Sequence, residues 1–149
     1  MLIRRAGTPA SIPHVKPLLQ HQDQRVTMEA LSTLLKLKDP GAVNVLRDAI
    51  HSNDPDIAFE AISLAGQYRT SDVTGDILAK IKRIIIFEAD YNENEEIIKA
   101  LGEIGDPRAI PDLEKLARAR MFYPQRRAKM QRLLFESLGR YPKESIADL

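Results

Sequence analysis

The stretch Ala100-Leu101-Gly102-Glu103-Ile104-Gly105-Asp106-Pro107-Arg108-Ala109-Ile110-Pro111-Asp112-Leu113 decides how this chain is read. Its apolar residues Ile97, Ile98, Leu101 and Ile104 recur at helical spacing and stop at Gly105. Glycine closes helices because it adopts the left-handed conformation without strain. Asp106 can cap a following helix, and Pro107 is tolerated in a first helical turn, where its missing N–H is not needed. A second apolar set, Ile110, Leu113 and Leu116, then begins. The spacing predicts two helices joined by a tight turn.

Outward from this stretch the pattern repeats. Gly7-Thr8-Pro9-Ala10-Ser11-Ile12-Pro13-His14-Val15-Lys16-Pro17-Leu18 aligns with the segment from Gly105 without a gap, 98 positions earlier, about three units of 33. A second alignment, offset by 31 positions, pairs Asp23, Glu29, Ala30 and Ser32 with Asp54, Glu60, Ala61 and Ser63. First helices are expected around Val26, Ala30, Leu31, Leu34 and Leu35, then Ile57, Ala61, Ile62 and Ala65, then the Ile97 to Ile104 set. A fourth is expected around Ala128, Leu134, Phe135 and Leu138. Turns follow at Lys38 to Gly41, Arg69 to Asp72, Gly105 to Pro107 and Gly139 to Pro142. Second helices are expected over Ile12–Gln20, Ala42–Ile50, Val73–Glu88 and Ile110–Arg120. The expected architecture is all-α, a single 1–149 domain of about four helical hairpins.

The Ala100 to Leu113 copy resembles the HEAT-like repeat of bacterial and archaeal proteins, including the phycobilisome-lyase type. The resemblance extends over nearly the whole chain and is sharpest in that copy. It implies a right-handed α-α superhelix, with second helices lining the concave surface, and it implies little about function, because such repeats serve scaffolds, adaptors and a few enzymes alike. Residues 1–20 match a turn and second helix without their first helix, and Tyr141 to Leu149 match only a turn and the start of another. The chain is therefore expected to be a piece of a longer array, or to end in degenerate caps. An exposed apolar end face would favour self-association. One step departs from the period: Ala61 to Ala100 is 39 residues, eight longer than the step before it. Ile77, Leu78, Ile81, Ile84 and Ile85 share one helical face, so the extra length is expected to make that second helix about a turn longer than its neighbours.

Composition bounds the chemistry. The 149 residues carry a net charge of +1, with 44% hydrophobic and 29% charged residues, which excludes disorder and a global drive toward nucleic acid or anionic membrane. There is no cysteine, so thiolate nucleophiles, thiolate metal sites and disulfides are excluded. The longest apolar run, Ile84 to Phe87, is far short of the roughly 20 residues that cross a bilayer, and a cytoplasmic protein is expected. His14, His21 and His51 never stand at ligand spacing with one another or beside a glutamate, and no phosphate loop or nucleophile elbow occurs. No metal, cofactor or catalytic residue is expected.

Charge is nonetheless uneven. Glu88 to Asp106 carries a net −6, and Lys115 to Lys143 a net +8. The basic stretch, with Arg118, Arg126, Arg127 and Arg132 beside Phe122 and Tyr123, is either a nucleic-acid or acidic-protein surface, or a solvated face that neutralises the acidic repeat next to it. Lys16, Arg47, Asp48, Lys80, Arg83, Lys115 and Arg118 on the second helices form a possible partner-binding ladder, or else solvated charges paired along their own helices. Tyr68, Tyr91 and Tyr141 are expected near helix ends, packed with their hydroxyls toward solvent. A non-catalytic protein-binding scaffold is the first expectation. Nucleic-acid binding through the basic stretch ranks second, and a lyase-related activity of the HEAT-like class third.

Overall fold

The computed structural model describes residues 8–82, 87–118 and 124–141, the side chains of 124–127 excepted. Every regular element among them is helical. Two compact units result, meeting in sequence at Ala49 and Ile50.

In the first unit a short helix α1 (Ile12–Val15) lies between 3-10 turns at Pro9–Ser11 and Lys16–Gln20, followed by α2 (Gln24–Lys36) and α3 (Pro40–Ile50), whose last residue opens the second unit. The regular helix expected over Ile12–Gln20 breaks because Pro17 has no N–H for the carbonyl of Pro13. The core of α2 is Met28, Ala30, Leu31, Leu34 and Leu35; α3 buries Ala42, Leu46 and Ile50, one residue per turn.

In the second unit α4 (Pro55–Gln67) and α6 (Glu88–Ile104) are the first helices of successive hairpins, and α8 (Pro124–Leu138) takes the first-helix place after them. They pack in that order, with α6 between the other two. The second helices, α5 (Thr74–Ala79) and α7 (Ile110–Ala117), are each entered through a 3-10 turn, Ser71–Val73 and Pro107–Ala109. Small residues let the first helices approach closely. A Cβ on Gly66 would lie 2.9 Å from the Ala100 Cα, and one on Gly102 would lie 2.6 Å from Ser137 Oγ. The Ser137 hydroxyl donates to the Ile98 carbonyl at 3.0 Å, and the Tyr141 hydroxyl donates to the Leu101 carbonyl at 2.8 Å.

The matched aspartates are the helix caps. Asp23 accepts from the Arg25 N–H at 2.9 Å at the start of α2, and Asp54 from the Asp56 N–H at 3.0 Å at the start of α4. The cap's own N–H is held two residues back in both, by His21 Nδ1 at 2.9 Å and by Ser52 Oγ at 3.1 Å. Turns close with a left-handed residue, Lys38 (φ 58°), Arg69 (φ 50°) and Gly105 (φ 71°).

Three further expectations need correction. The helix expected over Val73–Glu88 ends at Ala79, shorter than its neighbours. Asn94, fully buried on α6, captures the chain there: it accepts from the Lys82 N–H at 2.9 Å and donates to the Lys82 carbonyl at 2.8 Å. A buried amide with both halves satisfied stabilises that non-helical backbone in place of a further helical turn. Of the apolar face proposed for it, Ile84 and Ile85 lie outside the described residues. In α8, Phe135 is 79% exposed and Ala128 faces solvent, while Met130, Leu134 and Ser137 turn inward at spacings of four and three. Tyr91 and Tyr141 are buried, the Tyr141 hydroxyl with them, because the first helices supply a carbonyl for it.

Candidate functional site

The charged residues singled out in the sequence fall into both units. In the first, Lys16 is exposed with its Nζ 3.5 Å from the buried carboxylate of Asp39. Arg47 is half-buried and donates from Nη1 to Asn44 Oδ1 at 3.2 Å, and Asp48 is exposed. In the second, Lys80 lies one residue beyond α5, 3.4 Å from Glu93 on α6. Lys115 and Arg132 are exposed, and Arg118 approaches Glu114 one turn back at 3.8 Å. Arg83 and the side chains of Arg126 and Arg127 lie outside the described residues.

Besides the Lys80–Glu93 pair, one ion pair and one hydrogen bond tie neighbouring repeats. Lys129 on α8 meets Glu95 on α6 at 2.9 Å, so at least this base of the positive stretch neutralises the acidic helix beside it. Arg108 holds the Asp106 carboxylate with Nε and Nη2 at 2.9 and 2.6 Å, and its Nη2 also reaches the Ser71 carbonyl of the preceding turn at 3.3 Å. The Arg108 guanidinium holds the Asp106 carboxyl below the usual carboxylate range, and Asp106 raises Arg108 in return. The Asp-Pro-Arg signature is thus a tie between turns. Of the histidines, His14 is exposed, His21 belongs to the α2 cap, and His51 Nε2 lies 2.8 Å from Asp76 Oδ1. Among the described residues no three His, Asp or Glu come together to hold a metal ion. No helix of the described residues is long and apolar enough to cross a membrane.

The first helices of the second unit form a groove of about 640 Å³. Phe59 of α4, 42% exposed, and the half-buried Leu133 of α8 give it apolar walls. Asp56, Glu96, Lys99 and the Lys129–Glu95 pair supply its charge. Sequence reading missed this site. Its one local signal is that Phe59 falls out of phase with Ala58, Ala61, Ile62 and Ala65, so the helix period leaves a large apolar side chain outside the core. The groove itself joins three helices far apart in sequence, which no spacing reports. A smaller hollow of about 270 Å³ lies between α7 and α8, bordered by Leu134, Leu138 and the exposed Phe135.

Comparison with known proteins agrees with this architecture. Residues 1–66 match the family model described as HEAT repeats, and residues 95–118 match that of the PBS lyase HEAT-like repeat. The second match contains most of α6 and all of α7. No curated protein matches the chain. Helical hairpins closed by left-handed turns, first helices stacked on one another in the second unit, and matches over residues 1–66 and 95–118 show that this chain carries HEAT-like repeats.

Proposed function

We propose that this chain is a non-catalytic scaffold module that binds a protein partner, working in the cytoplasm, and that the groove on α4, α6 and α8 is a principal contact. The observation that carries this reading is Phe59, a large aromatic side chain left 42% exposed at a well-formed groove while the inward stripe beside it is closed. Aromatic anchors in pockets dominate the energetics of protein interfaces. Second-helix residues are further candidate contacts in each unit by itself, Lys16, Arg47 and Asp48 in the first and Lys80, Lys115 and Arg118 in the second. Most of those described already hold intramolecular partners, which argues for rim contacts that tune association more than affinity. The exposure of Phe135 supports self-association as a separate property.

A photo-crosslinking residue placed at position 59 tests the reading in native extract, with another at position 115 as comparison. The expected result is a discrete protein adduct from position 59 that disappears with Leu133→Glu. Adducts from position 115 alone would move the site to the second helices, and none from either would remove the protein-binding reading.

Nucleic-acid binding is the second reading, favoured by Lys115 and Arg132, both exposed and without an ion pair among the described residues. It requires binding of a labelled oligonucleotide that weakens steeply with salt and falls when Arg126, Arg127 and Arg132 become Glu. A salt-insensitive signal would exclude it.

A further inference from the structure

We infer that the groove on α4, α6 and α8 selects a basic protein segment, an apolar side chain entering between Phe59 and Leu133 while flanking lysines or arginines meet Asp56 and Glu96. This rests on the protein-binding reading above and adds the chemistry of the partner.

The charge balance carries the inference. Of the carboxylates around the groove, Glu95 is answered by Lys129 at 2.9 Å and Glu93 by Lys80 at 3.4 Å. Asp56 and Glu96 have no ion pair among the described residues, and neither does the exposed Glu60 that follows Phe59 on α4. Among the described residues, only Lys99 opposes them with an uncommitted positive charge. An incoming cation would therefore find carboxylates it need not take from another partner. An acidic segment would meet them as like charges, a cost that suppresses wrong partners more than it changes affinity for right ones. Phosphates of a nucleic acid would suffer the same repulsion. A volume of about 640 Å³ admits one or two large apolar side chains, which the Phe59 ring would cover.

The test is fluorescence anisotropy with two short labelled peptides, one carrying a Leu-Phe pair between lysines and its twin carrying the same pair between glutamates. The wild-type chain is expected to prefer the lysine peptide. Phe59→Ala is expected to weaken that binding about tenfold. The double variant Asp56→Lys, Glu96→Lys is expected to weaken it about tenfold and to turn the preference toward the glutamate peptide. The altered residues lie at the surface or half-buried at its edge, and Asp56→Asn with Glu96→Gln gives a milder pair should the reversed charges disturb folding. Equal binding of the two peptides by the wild type, or a double variant with unchanged preference, would overturn the inference. If neither peptide binds while position 59 still crosslinks to protein, the basic-segment inference falls and the protein-binding reading stands.

Discussion

The first and second helices of the second unit are built to different tolerances. The first helices run 13, 17 and 15 residues in α4, α6 and α8, and their backbones approach until there is no room for a methyl group at Gly66 or Gly102. The second helices run 6 and 8 residues in α5 and α7, and Gly75 in α5 has open space where a side chain would be. Tight packing makes the first-helix row the part of the unit that transmits strain, and makes the second helices the part that can change at little cost. The same row carries the groove, so the proposed binding surface stands on the stiffest element of the unit.

The largest expected effect is at the centre of the row. Ala100 is 1% exposed and faces Gly66. Ala100→Asp would bury a charge with no partner and is expected to cost on the order of 4 kcal/mol, read as a large fall in melting temperature or loss of the folded chain. Lys99→Ala, one residue earlier and exposed, should stay within about 0.5 kcal/mol. Equal effects at the two positions would show that the inward face of α6 has been misassigned.

The glycines set the two classes of helix against each other directly. Gly102→Ala would drive a methyl group to 2.6 Å from Ser137 Oγ and 2.9 Å from its Cα, so α6 and α8 must separate. Overpacking of this kind costs about 1–3 kcal/mol, more than the gain from alanine's helix propensity, and Gly66→Ala against the Ala100 Cα should behave alike. Gly75→Ala meets nothing and should stabilise by up to about 1 kcal/mol. Denaturant midpoints of the three variants decide it: destabilisation by Gly75→Ala, or tolerance at Gly102, would erase the distinction.

Tyr141 measures how the row is closed beyond α8. Tyr141→Phe removes the hydrogen bond to the Leu101 carbonyl and should cost about 1 kcal/mol at neutral pH. Burial, with the nearby Asp106 charge, pushes the phenol from 10.0 up to about 12. A raised folded-state value means that this contribution is fully present below pH 10 and is lost as pH rises through about 12, because the unfolded chain ionises first. The wild-type advantage over Tyr141→Phe should therefore shrink across that interval in unfolding curves taken at alkaline pH. A constant difference would mean that the hydroxyl remains hydrated.

How much of this was legible in the sequence follows from which interactions are local. Asp23 and Asp54 matched because each caps a first helix, a role fixed within three residues. The inward stripes of α2, α4 and α6 were visible because helical periodicity is local too. Phe135 was misplaced because α8 also carries Met130 and Ser137, and only contact with Gly102 and Ile98 shows that a serine, not a phenylalanine, belongs at the interface. The short α5 was hidden for the same reason: Asn94, twelve residues beyond Lys82, ends the helical path, and nothing in Ile77 to Ile85 announces it. The groove around Phe59 needed three helices at once.

The smallest expected effect lies at the turns, where the repeats resemble one another most. The Lys38 N–H donates to the Leu35 carbonyl and the Asp39 N–H to Leu34; the Arg69 N–H donates to Gly66 and the Thr70 N–H to Ala65. This is one capping geometry used twice, and at Gly105 the same left-handed backbone is held by glycine. A side chain there costs about 1–2 kcal/mol of left-handed strain, whereas glycine costs about 0.5–1 kcal/mol in unfolded-state entropy. Arg69→Gly should therefore stabilise by roughly 0.5 kcal/mol, and Lys38→Gly by a similar amount. Because both side chains are exposed and have no tie to the second helices among the described residues, the backbone should dominate the result. A loss of stability on Arg69→Gly, measured as a lower urea midpoint, would mean that the arginine itself holds this turn. The looser side of the repeat would then depend on side-chain contacts where the first helices depend on backbone approach.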